Sequence, residues 1–290
     1  MPLRSFFRGK PLEPQPKTER PKAWIDAEED SLTPPRHLWI SPDDSITHYV
    51  RWIWEYFAYL TIFAGLQRQD NVLELGCGHG RIARGLLAYL RAPGTYTGLD
   101  IDPVRIADAT ERYTSRFPNF QFLSADIRSV QYNPHGTLRA DHYCFPFNAA
   151  SFDVIFAASL FTHLLPTEAA QYFRESSRVL RKSGRCIFSV FILDYYRGPD
   201  STISALYEFP HSFGNGVAVR DADHPDAAIA YSLETLQRLA GAADLHIERV
   251  LPGLWSETPG WAANEQDLVV LAHNKDSNKL RQPIVGCRRT

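Results

Sequence analysis

A chain of 290 residues with 44% hydrophobic and 22% charged residues can bury one sizeable core plus extensions, and a single domain of about 230 residues is the economical reading. A formal net charge of -2 supplies no electrostatic footprint for nucleic acid or an anionic membrane, although both tails are locally basic, so a small or weakly charged partner is expected. The cysteines, Cys77, Cys144, Cys186 and Cys287, lie far apart with no Cys-x-x-Cys pair, which suggests neither a zinc site nor a disulfide framework and fits a reduced cytoplasm.

In chain order, residues 1–35 combine charges with prolines from Pro2 to Pro35 and read as an extended or disordered lead-in. They hold no apolar run long enough for a signal core, and no segment of the chain approaches the roughly eighteen apolar residues of a membrane span. From Ser45 to Leu66 aromatic and aliphatic residues recur at three- and four-residue steps, a helix whose Tyr49 and Trp52 are candidate lining residues of a ligand site.

The most informative stretch follows. Val72-Leu-Glu-Leu75 reads as a buried strand that runs into a turn with glycine at positions 76, 78 and 80. Without Cβ atoms such a turn takes positive φ and lets a ligand touch the backbone, and the helix beginning at Arg81 offers it unpaired N–H groups. A second strand, Tyr96–Asp100, ends in a carboxylate about twenty residues after the glycines, the spacing at which an acid meets a ribose in a nucleotide-binding βαβ unit. A third, Phe120–Asp126, ends in another acid. Strand and helix then keep alternating: helix 103–116, strand 153–158, helix 167–181, strand 185–193, helix 232–243, and strands 246–250 and 267–273, the pattern of a doubly wound α/β sheet with helices on both faces.

Glu74, the glycine turn, Asp100 and Asp126, in this order, resemble the motifs of the class I S-adenosylmethionine-dependent methyltransferases, and the resemblance extends through most of residues 45–273. It implies a Rossmann-like seven-stranded sheet of order 3-2-1-4-5-7-6 with the last strand antiparallel, a methyltransferase domain over 36–274, and S-adenosyl-L-methionine as cofactor. It further implies that the loop Gly76, Cys77, Gly78 and Gly80 with Arg81 wraps the methionine half, and that Glu74 holds the loop and the amino group. Asp100 would take the ribose, Asp126 the adenine amino group, and Ile101 and Ile127 would sandwich the ring. Ser159 and Leu160, just past the fourth strand, would face the cofactor.

Two insertions interrupt the pattern. Residues 128–147 contain Tyr132-Asn-Pro-His-Gly136. Residues 193–231 are rich in Tyr, Phe, His, Pro and Gly and follow the fifth strand at the mouth of the crevice, so about 194–231 read as a lid enclosing a small organic acceptor. Tyr195, His211 and Trp255, with Tyr49, are the expected substrate contacts; Tyr207 and Trp261 belong to the same aromatic groups. The same aromatic surface fits a homodimer interface. Within Ser159-Leu-Phe-Thr-His163, His163 is the candidate general base, since a histidine titrates near neutrality. The segment lacks the Asn/Asp-Pro-Pro-aromatic grip of enzymes that methylate DNA bases, which argues against nucleic acid as acceptor. The expected activity is O-methylation of a natural product, sugar or glycoconjugate, with no metal. A peptide or protein acceptor docked by the lead-in, and a non-catalytic cofactor-binding module, are the alternatives. Residues 275–290 form a basic tail.

Overall fold

The structure, a computed structural model, describes residues 31–35, 37, 39, 45–196, 208–256, 262 and 264–274. Most of the lead-in, the basic tail, Tyr207 and Trp261 lie outside the described residues.

The first long helix among the described residues is α1 (Ile46–Ile62), where the Ser45 hydroxyl accepts the His48 N–H at 3.1 Å and so caps the first turn. Its buried side, with Tyr49, Trp52, Ile53, Tyr56 and Leu60, follows the helical period of the sequence. Next come β1 (Asn71–Leu75), α2 (Ala83–Leu87), β2 (Thr95–Asp100), α3 (Pro103–Ala109), β3 (Phe120–Ser124), β4 (Phe152–Ala157), α4 (Pro166–Val179) and β5 (Leu180–Val190). The insertion after β5 carries β6 (His211–Gly214), β7 (Val217–Val219) and β8 (Ile229–Tyr231), and α5 (Leu233–Ala242), β9 (Leu245–Leu251) and β10 (Asp267–His273) close the domain.

The main sheet has the order β3-β2-β1-β4-β5-β10-β9, with β10 antiparallel to both its neighbours and the other pairings parallel. This is the expected seven-stranded order. Strand alternation sends Leu73, Leu75, Ile155 and Ala157 to the face covered by Phe173, Leu236 and Leu239 of α4 and α5. Val72, Val154 and Phe156 point to the opposite face, against Trp52, Tyr56, Leu86 and Ile106. Both faces being covered, the strands read as near-continuous apolar runs.

Three elements differ from the sequence expectation. The helix expected to begin at Arg81 is regular only over Ala83–Leu87, because Gly80 sits at φ 79°, outside helical space, and the Arg91 N–H turns to the Arg68 carbonyl at 2.7 Å. The 103–116 helix passes from α3 into a wider π turn at Thr110–Thr114. The 194–231 segment carries an antiparallel sheet, β6-β7-β8, rather than only loop. Gly214, Asn215 and Gly216, all at positive φ, make its first hairpin turn. β8 is laced between two parts of the main fold: Tyr231 N–H donates to the Phe191 carbonyl at 2.9 Å, Ile229 N–H donates to the Thr162 carbonyl at 2.8 Å, and the Tyr231 hydroxyl donates to the Leu164 carbonyl.

Cys77 and Cys186 are buried free thiols. Among the described residues no helix is long and apolar enough to cross a membrane.

Candidate active site

A cavity of about 700 Å³ opens at the carboxyl ends of β1, β2 and β4, where ligands gather in open α/β sheets. The glycine turn forms its floor. Gly76 and Cys77 N–H both donate to the Leu99 carbonyl, at 2.8 and 3.3 Å, and Gly76 and Gly78 sit at φ 74° and 52°. A Cβ at Gly78 would meet nothing within 4 Å, so the backbone there faces open space that a ligand can fill, while a Cβ at Gly76 would lie 3.4 Å from Leu160 Cβ. Gly80 differs from both. A Cβ there would sit 3.0 Å from the Phe122 ring and 3.2 Å from that of Tyr113, so this glycine permits the loop to pack on the fold and does not line the cavity.

Two acids line the cavity beside the loop. Glu74 points from β1 to the face opposite Leu73 and Leu75, is 2% exposed, and accepts the phenolic hydrogen of Tyr96 from β2. Burial lifts its pKa to about 8, against the pull of the Tyr96 hydrogen bond and the Arg81 charge. Asp100 ends β2, where its Oδ2 accepts the Gly78 N–H at 2.7 Å and its Oδ1 the Asp102 N–H at 2.8 Å. Burial raises its pKa, and these two hydrogen bonds with the nearby Arg105 oppose the rise. Each oxygen keeps a lone pair for a hydroxyl of a ligand.

One end of the cavity is an apolar slot lined by Leu99, Ile101, Ala125, Ile127, Ala140 and Leu164, suited to a flat ring. Asp126 is not part of it. Its side chain is exposed and accepts the Thr137 hydroxyl, so the carboxylate fastens the return of the first insertion. The other end is lined by Trp52, His79, Arg81 and Gln266. The Arg81 guanidinium lies 4.6 Å above the Trp52 ring. His79 is 3% exposed, its Nδ1 has no hydrogen-bond partner among the described residues, and burial next to Arg81, Arg112 and Arg105 holds its pKa down to about 3; the ring is therefore neutral at pH 7.

Past β4 the chain turns at Ser159, whose φ of 58° is uncommon outside glycine. The Ser189 hydroxyl holds its N–H at 2.6 Å, and its own hydroxyl donates to Gln266 at 3.1 Å. The turn lays Leu160 over Gly76 and delivers His163 to the cavity. His163 Nδ1 lies 2.9 Å from the Asp226 backbone carbonyl. A carbonyl only accepts, so Nδ1 carries the hydrogen in the neutral ring and the Nε2 lone pair is left for chemistry. Burial lowers the His163 pKa and keeps that lone pair unprotonated near neutrality.

The cavity thus brings together Glu74, Gly76, Cys77, Gly78, Arg81, Asp100, Ile101, Ile127, Ser159, Leu160 and His163. The expected substrate contacts Tyr49, Tyr195, His211 and Trp255 are not among its lining residues. Tyr49 is buried and stacked on Trp39 at 4.7 Å. Tyr195 packs half-buried against the main core, and His211 lies exposed on β6. Trp255 is buried with Phe191 and Phe209, and its indole N–H donates to Asp267 at 2.7 Å. Aromatic richness announces burial, not the direction a ring faces. Residues that do line the cavity and that sequence reasoning did not single out include Arg105, Gln266 and Tyr132. The only signal for Tyr132 was its place inside an insertion.

Residues 73–188 match the family model described as a methyltransferase domain. The phthiotriol/phenolphthiotriol dimycocerosates methyltransferase of Mycobacterium leprae is 30% identical over 119 residues, which cover 41% of this chain and 37% of that protein. The malonyl-[acyl-carrier protein] O-methyltransferase of Paenibacillus sp. is 27% identical over 154 residues, covering 52% and 48%. The chain therefore spans less than half the length of these curated relatives. The crystal structure of the PH0226 protein from Pyrococcus horikoshii OT3 shares the fold, with a TM-score of 0.56 and 19% identity over 83% of this chain and 99% of that one. The glycine turn, the acids on β1 and β2, the sheet order and these likenesses agree: residues 73–188 carry a methyltransferase domain, on a sheet whose order is the one expected of the class I S-adenosylmethionine-dependent methyltransferases.

Proposed function

We propose that this protein transfers a methyl group from S-adenosyl-L-methionine to an oxygen of a small acceptor, a natural product, sugar or glycoconjugate. The observation that carries the reading is the convergence, on one cavity, of an open glycine turn, the Asp100 carboxylate and the free Nε2 of His163. The relatives support it, one being named an O-methyltransferase and the other a methyltransferase of phthiotriol compounds.

The residues fit the donor. Gly78 leaves room beside the backbone, Asp100 offers acceptors for ribose hydroxyls, and the slot between Ile101 and Ile127 takes an adenine. Glu74 and Arg81 face the methionine end. When bound, the donor supplies a methyl group on a positively charged sulfur, open to in-line displacement by a lone pair. The chain contributes in two ways. It aligns the acceptor, the effect that makes two bound partners behave as one molecule, and it takes the acceptor's proton on His163 Nε2. A positioned base of this kind is worth roughly 10²–10⁴-fold.

Incubation of the purified chain with donor labelled in its methyl group and a panel of phenols, hydroxy lipids, sugars and peptides tests the proposal. Label on a small hydroxyl compound is the expected result. Label confined to peptides, or donor binding with no transfer to any class, would overturn it.

A further inference from the structure

The excursion after β3 is a built element. Arg128 N–H donates to the Leu138 carbonyl at 2.8 Å, Thr137 and Leu138 N–H donate to the Asp126 carbonyl at 3.1 and 2.9 Å, and Ser129 and Asn133 exchange two backbone bonds of 3.0 Å. Inside it the Asn133 side-chain amide donates to the Ile127 carbonyl at 3.1 Å, and Gly136 packs so closely that a Cβ there would sit 2.4 Å from the same oxygen. Backbone bonds of this density hold a loop in one shape.

That shape brings Tyr132 into the cavity. Its ring meets His163 edge-on, with centroids 6.0 Å apart and planes at 81°. Arg105, Asp100 and Asp226 line the same cavity, and their charges act on its hydroxyl. Among the described residues none hydrogen-bonds that hydroxyl. Val130, two residues earlier, lies 76% exposed at the outer lip of the same cavity.

We propose that residues 128–139 form a wall that closes the crevice over the ribose end of the methyl donor, and that Tyr132 is a binding residue of that wall, its ring against the donor and its hydroxyl on a ribose oxygen. The wall rests on the donor reading of the cavity. It assigns the insertion to the donor rather than to the acceptor alone, and it explains why Asp126 fastens Thr137.

Calorimetric titration of the full chain with S-adenosyl-L-homocysteine tests it in the wild type, Tyr132→Phe and Tyr132→Ala. Loss of one hydroxyl bond should weaken binding about threefold or more in Tyr132→Phe, and loss of the ring as well about tenfold or more in Tyr132→Ala. Should Tyr132→Ala fail to fold, Tyr132→Phe decides alone. Wild-type binding with the folded variants within twofold of it would overturn the wall only. A wild-type chain that takes up no S-adenosyl-L-homocysteine would overturn the donor reading and the wall together.

Discussion

His163 on the loop after β4 and Asp226 on the connection between β7 and β8 meet through a ring nitrogen and a backbone carbonyl, 2.9 Å apart. The partner is a carbonyl rather than a carboxylate. It fixes the tautomer and direction of the imidazole, and this hydrogen bond and the Asp226 charge oppose the lowering of the His163 pKa by burial. The small sheet therefore acts on the site through its backbone, without lining residues of its own from β6, β7 or β8.

Replacing His163 by Ala should lower turnover about 100-fold or more, as expected for a general base, with S-adenosyl-L-homocysteine affinity kept. Because burial depresses its pKa below the ordinary 6.5, the neutral ring persists into mild acid. The wild-type rate should rise with pH on a limb centred below 6.5 and be level through pH 7. Steady-state kinetics across pH measures both; a loss under about threefold would return His163 to a packing role.

Asp100 carries a different load, since its two oxygens hold the Gly78 and Asp102 N–H groups and the residue lines the cavity. Hydrogen bonds to a charged group are worth roughly 1.5–3 kcal/mol each, so Asp100→Ala should weaken donor binding tenfold or more. Calorimetry would show it, and unchanged affinity would remove Asp100 from the site.

Two glycines of one turn should respond differently. At Gly80 a methyl group would press on Phe122 and Tyr113 at φ 79°, so Gly80→Ala should cost the fold about 2–4 kcal/mol, read by urea unfolding. At Gly78 the methyl group meets open space, so Gly78→Ala should cost the fold only about 1 kcal/mol while obstructing the donor. Equal stability losses would show that both glycines serve packing.

The buried pair Glu74 and His79 should shape the pH dependence of stability. Below pH 6.5 the unfolded chain binds a proton at His79 that the folded chain refuses until about pH 3, so stability falls as pH drops through that window. Above pH 4.5 the unfolded chain releases a proton at Glu74 that the folded chain keeps until about pH 8, so this contribution falls as pH rises. Each slope approaches about 1.4 kcal/mol per pH unit at most. Urea unfolding at pH 6.5 and 8 should show the wild type losing stability more steeply than Glu74→Gln; parallel profiles would mean that Glu74 is ionised in the folded chain.

The alternation of strand and helix was readable from the residues, and the sheet order came with the family resemblance that three strand ends carry: the glycines after Leu75, Asp100 and Asp126. Burial on both faces made the strands stand out as apolar runs. Asp126 parted from its expected place because Thr137, eleven residues on, takes its carboxylate, and nothing local signals that capture. The β6–β7 hairpin did have a signal in Gly214-Asn215-Gly216, a turn sequence favouring positive φ. Gln266 was out of reach, since its contact with Ser159 spans 107 residues and exists only once β10 is docked. Trp255 shows the remaining difficulty: its ring serves Asp267, whose carboxylate also accepts the Ile192 and Gly253 N–H groups, and composition cannot distinguish such a buried junction from a ligand wall.

The position of β10 has a consequence for biosynthesis. This strand, last in chain order among the described residues, sits inside the sheet between β5 and β9 instead of at its border. Until it emerges from the ribosome, β5 displays a bare ladder of backbone donors and acceptors, and β9 has no neighbour to receive it. The sheet should therefore close only after residues 267–273 have been synthesised, with the β5 ladder open until then.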